Sequence, residues 1–339
     1  MNSFITDSII NDLLYENGSL KAVSLEGEDT YIKHEILNSL AAEADKKGYS
    51  LEQFYNNCGC DTLSGVFIKR KSLFVFDGRQ TNLSNCSLSH GALITDTQKA
   101  FSKNLSTLYI KPMLLSRQKS LNEASKLKKA CSKLSESIRV SVQPYLNKAK
   151  VLNYIMRFVS RYSLRESTVK GKNFRRQLSS AGAWGVHSFY ESVLMCSNNT
   201  VRLCDSTKAL QPVLISGLSQ LLNECGLNTV TFYCSVDGTP EHLVVPELKA
   251  AFFSDNAYHE YPVESNCTLR LNRFLKSEIP SELKCRIFRQ AELYSELVDR
   301  IILLNLEADT LSEKISDYYF ENTDPKALQQ IKNEITALL

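Results

Sequence analysis

Ala22 to Leu25 is a short apolar run closed by Glu26-Gly27-Glu28-Asp29, a pattern that predicts a strand ending in a turn. From Tyr31, the apolar residues Ile32, Ile36, Leu37, Leu40 and Ala41 recur at helical spacing, and the run ends at Lys46-Lys47-Gly48, the chemistry of a helix C-terminus. Strands follow at Leu51 to Tyr55 and Val66 to Ile68. Leu73-Phe74-Val75-Phe76-Asp77 is continuous rather than alternating, as suits a strand covered on both faces of a parallel sheet. The same order returns later, with strands at Thr200 to Leu203, Thr229 to Tyr233, Leu243 to Val245 and Ala250 to Phe253, and a helix from about Leu210 to Glu224. Strands alternating with helices argue for three-layer α/β domains with parallel sheets.

The two runs are copies of each other. Gly48 and Gly226 stand 178 residues apart, and at that offset Phe54-Tyr55 meets Phe232-Tyr233, Val66 meets Val244, Lys71 meets Lys249, Phe74 meets Phe252 and Asp77 meets Asp255, without a gap. Upstream, Val23 and Leu25 meet Val201 and Leu203, and Leu37 and Leu40 meet Ile215 and Leu218. A repeat this long is a duplicated domain, not a solenoid unit. The 339 residues therefore divide near residue 170. The first domain, 1–170, is expected to hold an α/β core over about 1–97 and a helical insert over about 98–170. The second, 171–339, holds a core over about 171–270 and a helical segment over about 271–339.

The helical segments carry most of the charge imbalance. Leu121, Ala124, Leu127, Cys131, Leu134 and Ile138 predict an amphipathic helix ending before Pro144, and a second helix runs from Tyr145 to about Tyr162; together they suggest a hairpin. Glu282 to Leu339 is helical as well, interrupted at Asn322-Thr323-Asp324-Pro325, where Pro325 suits a first helical position. From Lys103 to Arg176 there are 18 Lys and Arg against Glu123, Glu136 and Glu166, a balance of +15 in a chain of net charge +3. Such an excess is either a solvated face neutralised within the molecule or a docking surface for nucleic acid, an anionic membrane or an acidic protein. Lys126, Lys128, Lys129 and Lys133 fall on the polar side of one predicted helix and are the candidate polyanion-binding residues.

Composition excludes several classes. No apolar run approaches the roughly 18 residues of a membrane span, and Asp7, Asp12 and Glu16 interrupt the first twenty residues, so a cytoplasmic protein is expected. The ten cysteines are scattered and read as mostly buried thiols. Cys58-Gly59-Cys60 has no second pair to complete a zinc site, and no metal is expected there. No G-x-S-x-G elbow precedes a helix, and no catalytic residue is assigned. His242 reads as a structural histidine and Trp184 as a packing residue, while His259 falls where open α/β sheets bind ligands.

The segments Lys33 to Ser50, Asp61-Thr62-Leu63-Ser64-Gly65-Val66 and Leu73 to Gly78 resemble the first half of a little-characterised family of tandem P-loop ATPases from Firmicutes. Phe232-Tyr233-Cys234, Glu241 to Leu248 and Asn256 to Tyr261 resemble its second half, and Tyr145 to Ala149 and Tyr318-Tyr319 extend the likeness into the helices. The resemblance implies G-x-x-x-x-G-K-[ST] in each half. Here the first half has Gly27, Ile32, Lys33 and His34 at those positions, and the second has Asp205, Leu210, Gln211 and Pro212. Backbone amides cradle phosphate only where the loop takes conformations that glycine tolerates, and Ile32 is β-branched. His34 is a poor magnesium ligand, and Asp205 places a negative charge where phosphates would lie. The resemblance therefore implies two degenerate P-loop NTPase-like domains acting as a non-catalytic binding or regulatory module. ATP with magnesium is conceivable only at the first site, through Gly27, Lys33 and Asp77. The alternatives are a nucleotide-dependent enzyme using that site, and a structural adaptor.

Overall fold

The computed structural model describes residues 1–4, 6, 9–10, 12–13, 20–59, 61–78, 93–101, 107–256 and 264–339. Two six-stranded sheets form its core, and by internal contacts the chain divides into two units: unit 1 holds 1–124, 179–187 and 301–339, and unit 2 holds 125–178 and 188–300.

In unit 1 the chain runs β1 (Asn2–Phe4), β2 (Lys21–Glu26), α1 (Tyr31–Lys46), β3 (Leu51–Tyr55), β4 (Leu63–Ile68), β5 (Leu73–Asp77) and β6 (Leu93–Asp96), with sheet order β1-β3-β4-β5-β2-β6. Unit 2 repeats this with β7 (Asn173–Arg176), β10 (Asn199–Cys204), α5 (Gln211–Glu224), β11 (Thr229–Tyr233), β12 (Pro240–Val245), β13 (Ala250–Asp255) and β14 (Cys267–Arg270), in the order β14-β10-β13-β12-β11-β7. Along the chain, β7 is followed by the small β8 (Ser179–Gly182) and β9 (Gly185–Ser188) pair and a short helix α4 (Tyr190–Leu194) before β10. The α/β architecture is the expected one, and the sheets are mostly parallel. In each, however, β4 or β12 runs antiparallel to both neighbours, because short connections to β3 and β5, or to β11 and β13, permit only hairpins.

The helices α1 and α5 stop for the same reason. Gly48 and Gly226 take positive φ angles of 68° and 85°, and the amides after them turn back, Tyr49 N to Ala44 O at 3.0 Å and Leu227 N to Leu222 O at 3.0 Å. The offset of 178 holds through β3 and β11. Beyond them the gapless match fails by one residue, because the connection from β11 to β12 is one shorter than that from β3 to β4. Gln53 faces Val66, and its counterpart Thr231 faces Leu243; Leu25 pairs with Asp77, and its counterpart Leu203 pairs with Ser254. Val66 thus corresponds to Leu243, Val75 to Phe252 and Asp77 to Ser254, in place of Val244, Phe252 for Phe74, and Asp255. A one-residue slip turns a strand residue to the other face of its sheet. Asp77 faces α1, whereas Asp255 faces away from α5 and pairs with Arg202 at 2.6 Å.

The helices are distributed differently from halves meeting at residue 170. The long helices α2 (Thr107–Val142) and α6 (Ser281–Glu321) each contribute residues to both units. Within unit 1, Ile110 of α2 packs on Ile315 and Tyr319 of α6, and Ser120 bonds Glu307; within unit 2, Ser137 accepts from Gln290 and Ser141 from Arg286. Each set is an antiparallel pair, so α2 has α6 as its partner in place of a hairpin with the helix after it. That next helix, α3 (Lys148–Arg161), buries Val151, Ile155, Phe158 and Val159 against Leu214, Ile215, Leu218 and Leu222 of α5. The final helix α7 (Pro325–Thr336), capped by Asp324 accepting from Lys326 N at 2.9 Å, packs Leu328, Ile331 and Ile335 on α1. The helix that follows the first core thus covers the second, and the last helix covers the first. Among the described residues no helix is long and apolar enough to cross a membrane.

Candidate functional site

The resemblance points to the two corners where β2 enters α1 and β10 enters α5. At the first, Gly27 has φ +135°, a region that side-chain-bearing residues avoid, and a Cβ there would collide with Thr97. Asp29 closes the corner from inside. Its carboxylate accepts from Ile32 N at 2.9 Å in the first turn of α1, and its other oxygen lies 2.9 Å from the Thr97 hydroxyl. Lys33 is 1% exposed and points beneath the loop, where its ammonium donates to Gly27 O at 2.7 Å and to Asp77 Oδ1 at 2.6 Å. The three residues assigned to a residual phosphate site are therefore brought together, bound to one another. His34 turns aside: its Nδ1 accepts from Leu63 N at 2.9 Å and its Nε2 meets Asn38 at 2.8 Å, with burial lowering its pKa below the usual histidine range.

At the second corner a different carboxylate reaches the same place. Asp205, equivalent in the offset to Gly27, sends Oδ2 to Leu210 N at 2.7 Å and Gln211 N at 3.0 Å, and Oδ1 to Thr207 N at 3.0 Å and Thr207 Oγ1 at 2.8 Å. Four donors at a helix N-terminus converge on one buried anion, the arrangement that such a terminus offers to phosphate. Gln211 and Asn256 meet at 3.4 Å where the first corner has its lysine.

The cation has moved. Lys208, in the loop itself and at φ +55°, buries its ammonium 2.9 Å from Asp237 Oδ2, 3.2 Å from Tyr294 Oη and 3.3 Å from Cys234 Sγ. Tyr294 donates to Asp237 at 3.2 Å, and Thr239 donates to it through both N and Oγ1. Burial opposes the Asp237 charge, but Lys208 and Thr239 outweigh it and hold the carboxyl below its ordinary pKa. Cys234 is pushed up to about 12, by burial first and then by Asp237, and remains a thiol. Sequence reasoning missed this cluster, since Lys208, Asp237 and Tyr294 share no spacing. Asp29 had a readable signal, an Asp three residues before Ile32 at a helix start.

Beside the second loop, Ser206 and Thr207 line a cleft of about 720 Å³ with Ile279, Ile287, Phe288 and Ala291, mostly apolar. Lys126, Lys129 and Lys133 are exposed on α2, Lys133 pairing with Glu136 at 2.8 Å; Lys128 is half-buried, so the four do not share one open face. Trp184 is 80% exposed in the turn between β8 and β9, contrary to a packing role. His242 is buried, accepting from Ser254 N at 3.1 Å. His259 and Cys60 lie outside the described residues. Comparison with protein-family models, curated proteins and solved structures finds no match for this chain.

Proposed function

We propose that the chain is a degenerate, non-catalytic relative of tandem P-loop ATPases, working as a binding or regulatory module. The observation that carries this reading is that each helix N-terminus at the expected phosphate position already holds a carboxylate of the chain itself, Asp29 in one unit and Asp205 in the other. A nucleotide phosphate at either corner would have to displace that carboxylate and meet its charge. In the first corner it would also have to draw Lys33 out of its pair with Asp77. Titration with ATP and GTP, with and without magnesium, tests this. No saturable binding below millimolar concentration and no hydrolysis above background are expected; magnesium-dependent turnover abolished by Lys33→Ala would overturn it and favour a nucleotide-dependent enzyme using the first site.

A second reading, an acidic or polyanionic partner, is supported by the division of charge. Unit 2 carries 24 Lys and Arg against 16 Asp and Glu, a balance of +8, and unit 1 carries 16 against 21, a balance of −5. The part of the basic stretch that falls in unit 2, 125–176, is thus incompletely neutralised within that unit. Lys126, Lys129 and Lys133 contribute to that surface.

A further inference from the structure

The cations of α3 are sorted by the helix itself. Val151, Ile155, Phe158 and Val159 face the core, and Lys150, Arg157 and Arg161, at i, i+7 and i+11, fall on one flank of the exposed side. Exposed Leu152 and Met156 fall on the other flank. On the cationic flank, Lys150, Asn153, Tyr154 and Arg157 form one wall of a cleft of about 350 Å³ whose other wall is Arg273 and Phe274, just after β14. The Tyr154 ring meets Phe274 edge-on at 5.7 Å, which fixes the two walls together. Burial raises the pKa of the Tyr154 hydroxyl, and the positive charges of Arg161 and Arg273 act against that rise.

These cations have no carboxylate to satisfy them. Arg157, Arg161, Arg270 and Arg273 have no ion-pair partner among the described residues, and Lys150 touches only the carbonyl of Leu275 at 3.3 Å. Lys133 on α2 differs, being paired with Glu136. Maintaining clustered like charges without counterions is unfavourable in isolation, and an anionic ligand relieves it. The flank from Lys150 to Arg161 is roughly 16 Å long at 1.5 Å per residue, enough for several successive phosphates at about 3.4 Å per nucleotide of a duplex strand. The cleft is open, cationic along its length and polar at Asn153, which suits a phosphodiester chain better than the flat apolar insertion of a membrane-surface helix.

We propose that this cleft of unit 2 binds the phosphate backbone of a nucleic acid, with Lys150, Arg157, Arg161 and Arg273 as the contacting cations. The proposal rests on the reading of the chain as a binding module, and the nucleotide titration above is read separately, so either can fail alone.

The test is fluorescence anisotropy of the full chain with labelled 20-residue single-stranded RNA, single-stranded DNA and duplex DNA, from 50 to 300 mM NaCl. Binding is expected at 50 mM salt with at least one of them, with log K falling against log salt at a slope of about −3 to −4 for four phosphate contacts. Lys150→Glu/Arg157→Glu/Arg273→Glu should weaken it at least a hundredfold, and Arg157→Gln alone should reduce the slope by about one. Lys46→Gln/Lys47→Gln, two exposed lysines at the end of α1 in unit 1, should change it less than threefold. Sedimentation with phosphatidylserine vesicles is the parallel arm, and no capture is expected. Absence of binding to all three oligonucleotides at 50 mM salt overturns the proposal, as does wild-type affinity in folded Arg157→Gln and in the triple variant, or capture by vesicles alone.

Discussion

The two corners began as copies and reach similar ends with different residues. In unit 1 a lysine on the first turn of α1 is held by the carboxylate ending β5; in unit 2 the lysine sits three positions earlier, in the loop, and is held by Asp237 after β11. With the connection before β12 one residue shorter than that before β4, Asp255 faces away from α5 and offers no carboxylate to a cation at position 211. Gln211 and Lys208 are the consistent answer to that change. A buried lysine and carboxylate can be carried by different positions of one fold, so residue-by-residue correspondence between repeats is a poor guide to their chemistry.

The largest expected effect lies in unit 2. Lys208→Met should cost about 3–5 kcal/mol in urea unfolding, because Asp237 would remain buried without its cation, and Lys208→Met/Asp237→Asn should recover most of that loss. Asp237 has a depressed folded pKa, so its contribution is present above the ordinary carboxylate value of about 4 and is lost as pH falls further. The acid limb of stability between about pH 4 and 2 should therefore flatten in Asp237→Asn. An unchanged limb would assign acid sensitivity to other carboxylates.

In unit 1, Lys33→Met should cost about 3 kcal/mol by the same argument, with faster hydrogen exchange in α1 and β5. If exchange rises equally at α5 and β13, the two units do not unfold separately.

The carboxylates at the helix starts should matter less and unequally. Asp205→Ala leaves three backbone amides and a hydroxyl without their acceptor and should cost about 2 kcal/mol, against about 1 kcal/mol for Asp29→Ala, which frees one amide and releases a Thr97 hydroxyl that keeps Glu26 O as acceptor. Added sulfate should restore stability to Asp205→Ala more than to the parent at matched ionic strength, since the vacated helix terminus accepts an anion. Equal responses would show that the terminus has collapsed.

Local features were legible in the chain. Strand and helix positions followed from apolar spacing, the stops at Gly48 and Gly226 from glycine chemistry, and the start of α7 from Asp324-Pro325, because each depends on contacts within a few residues. The four candidate lysines of α2 were legible only as a charge run: the spacing placed them on a polar side, yet Lys128 packs half-buried near Cys131 once other elements cover the helix.

What the sequence determined by itself was the duplication, the alternation of strands and helices and the excess of cations, since composition and periodicity carry these directly. The tertiary structure alone decided three things: that β4 and β12 run antiparallel, that each core is covered by the helix which follows the other, and that Lys33, Lys208, Asp29 and Asp205 are all turned inward. Their partners lie in separate parts of the chain, and the free energy of a buried charge depends on the groups that surround it, not on its neighbours in sequence.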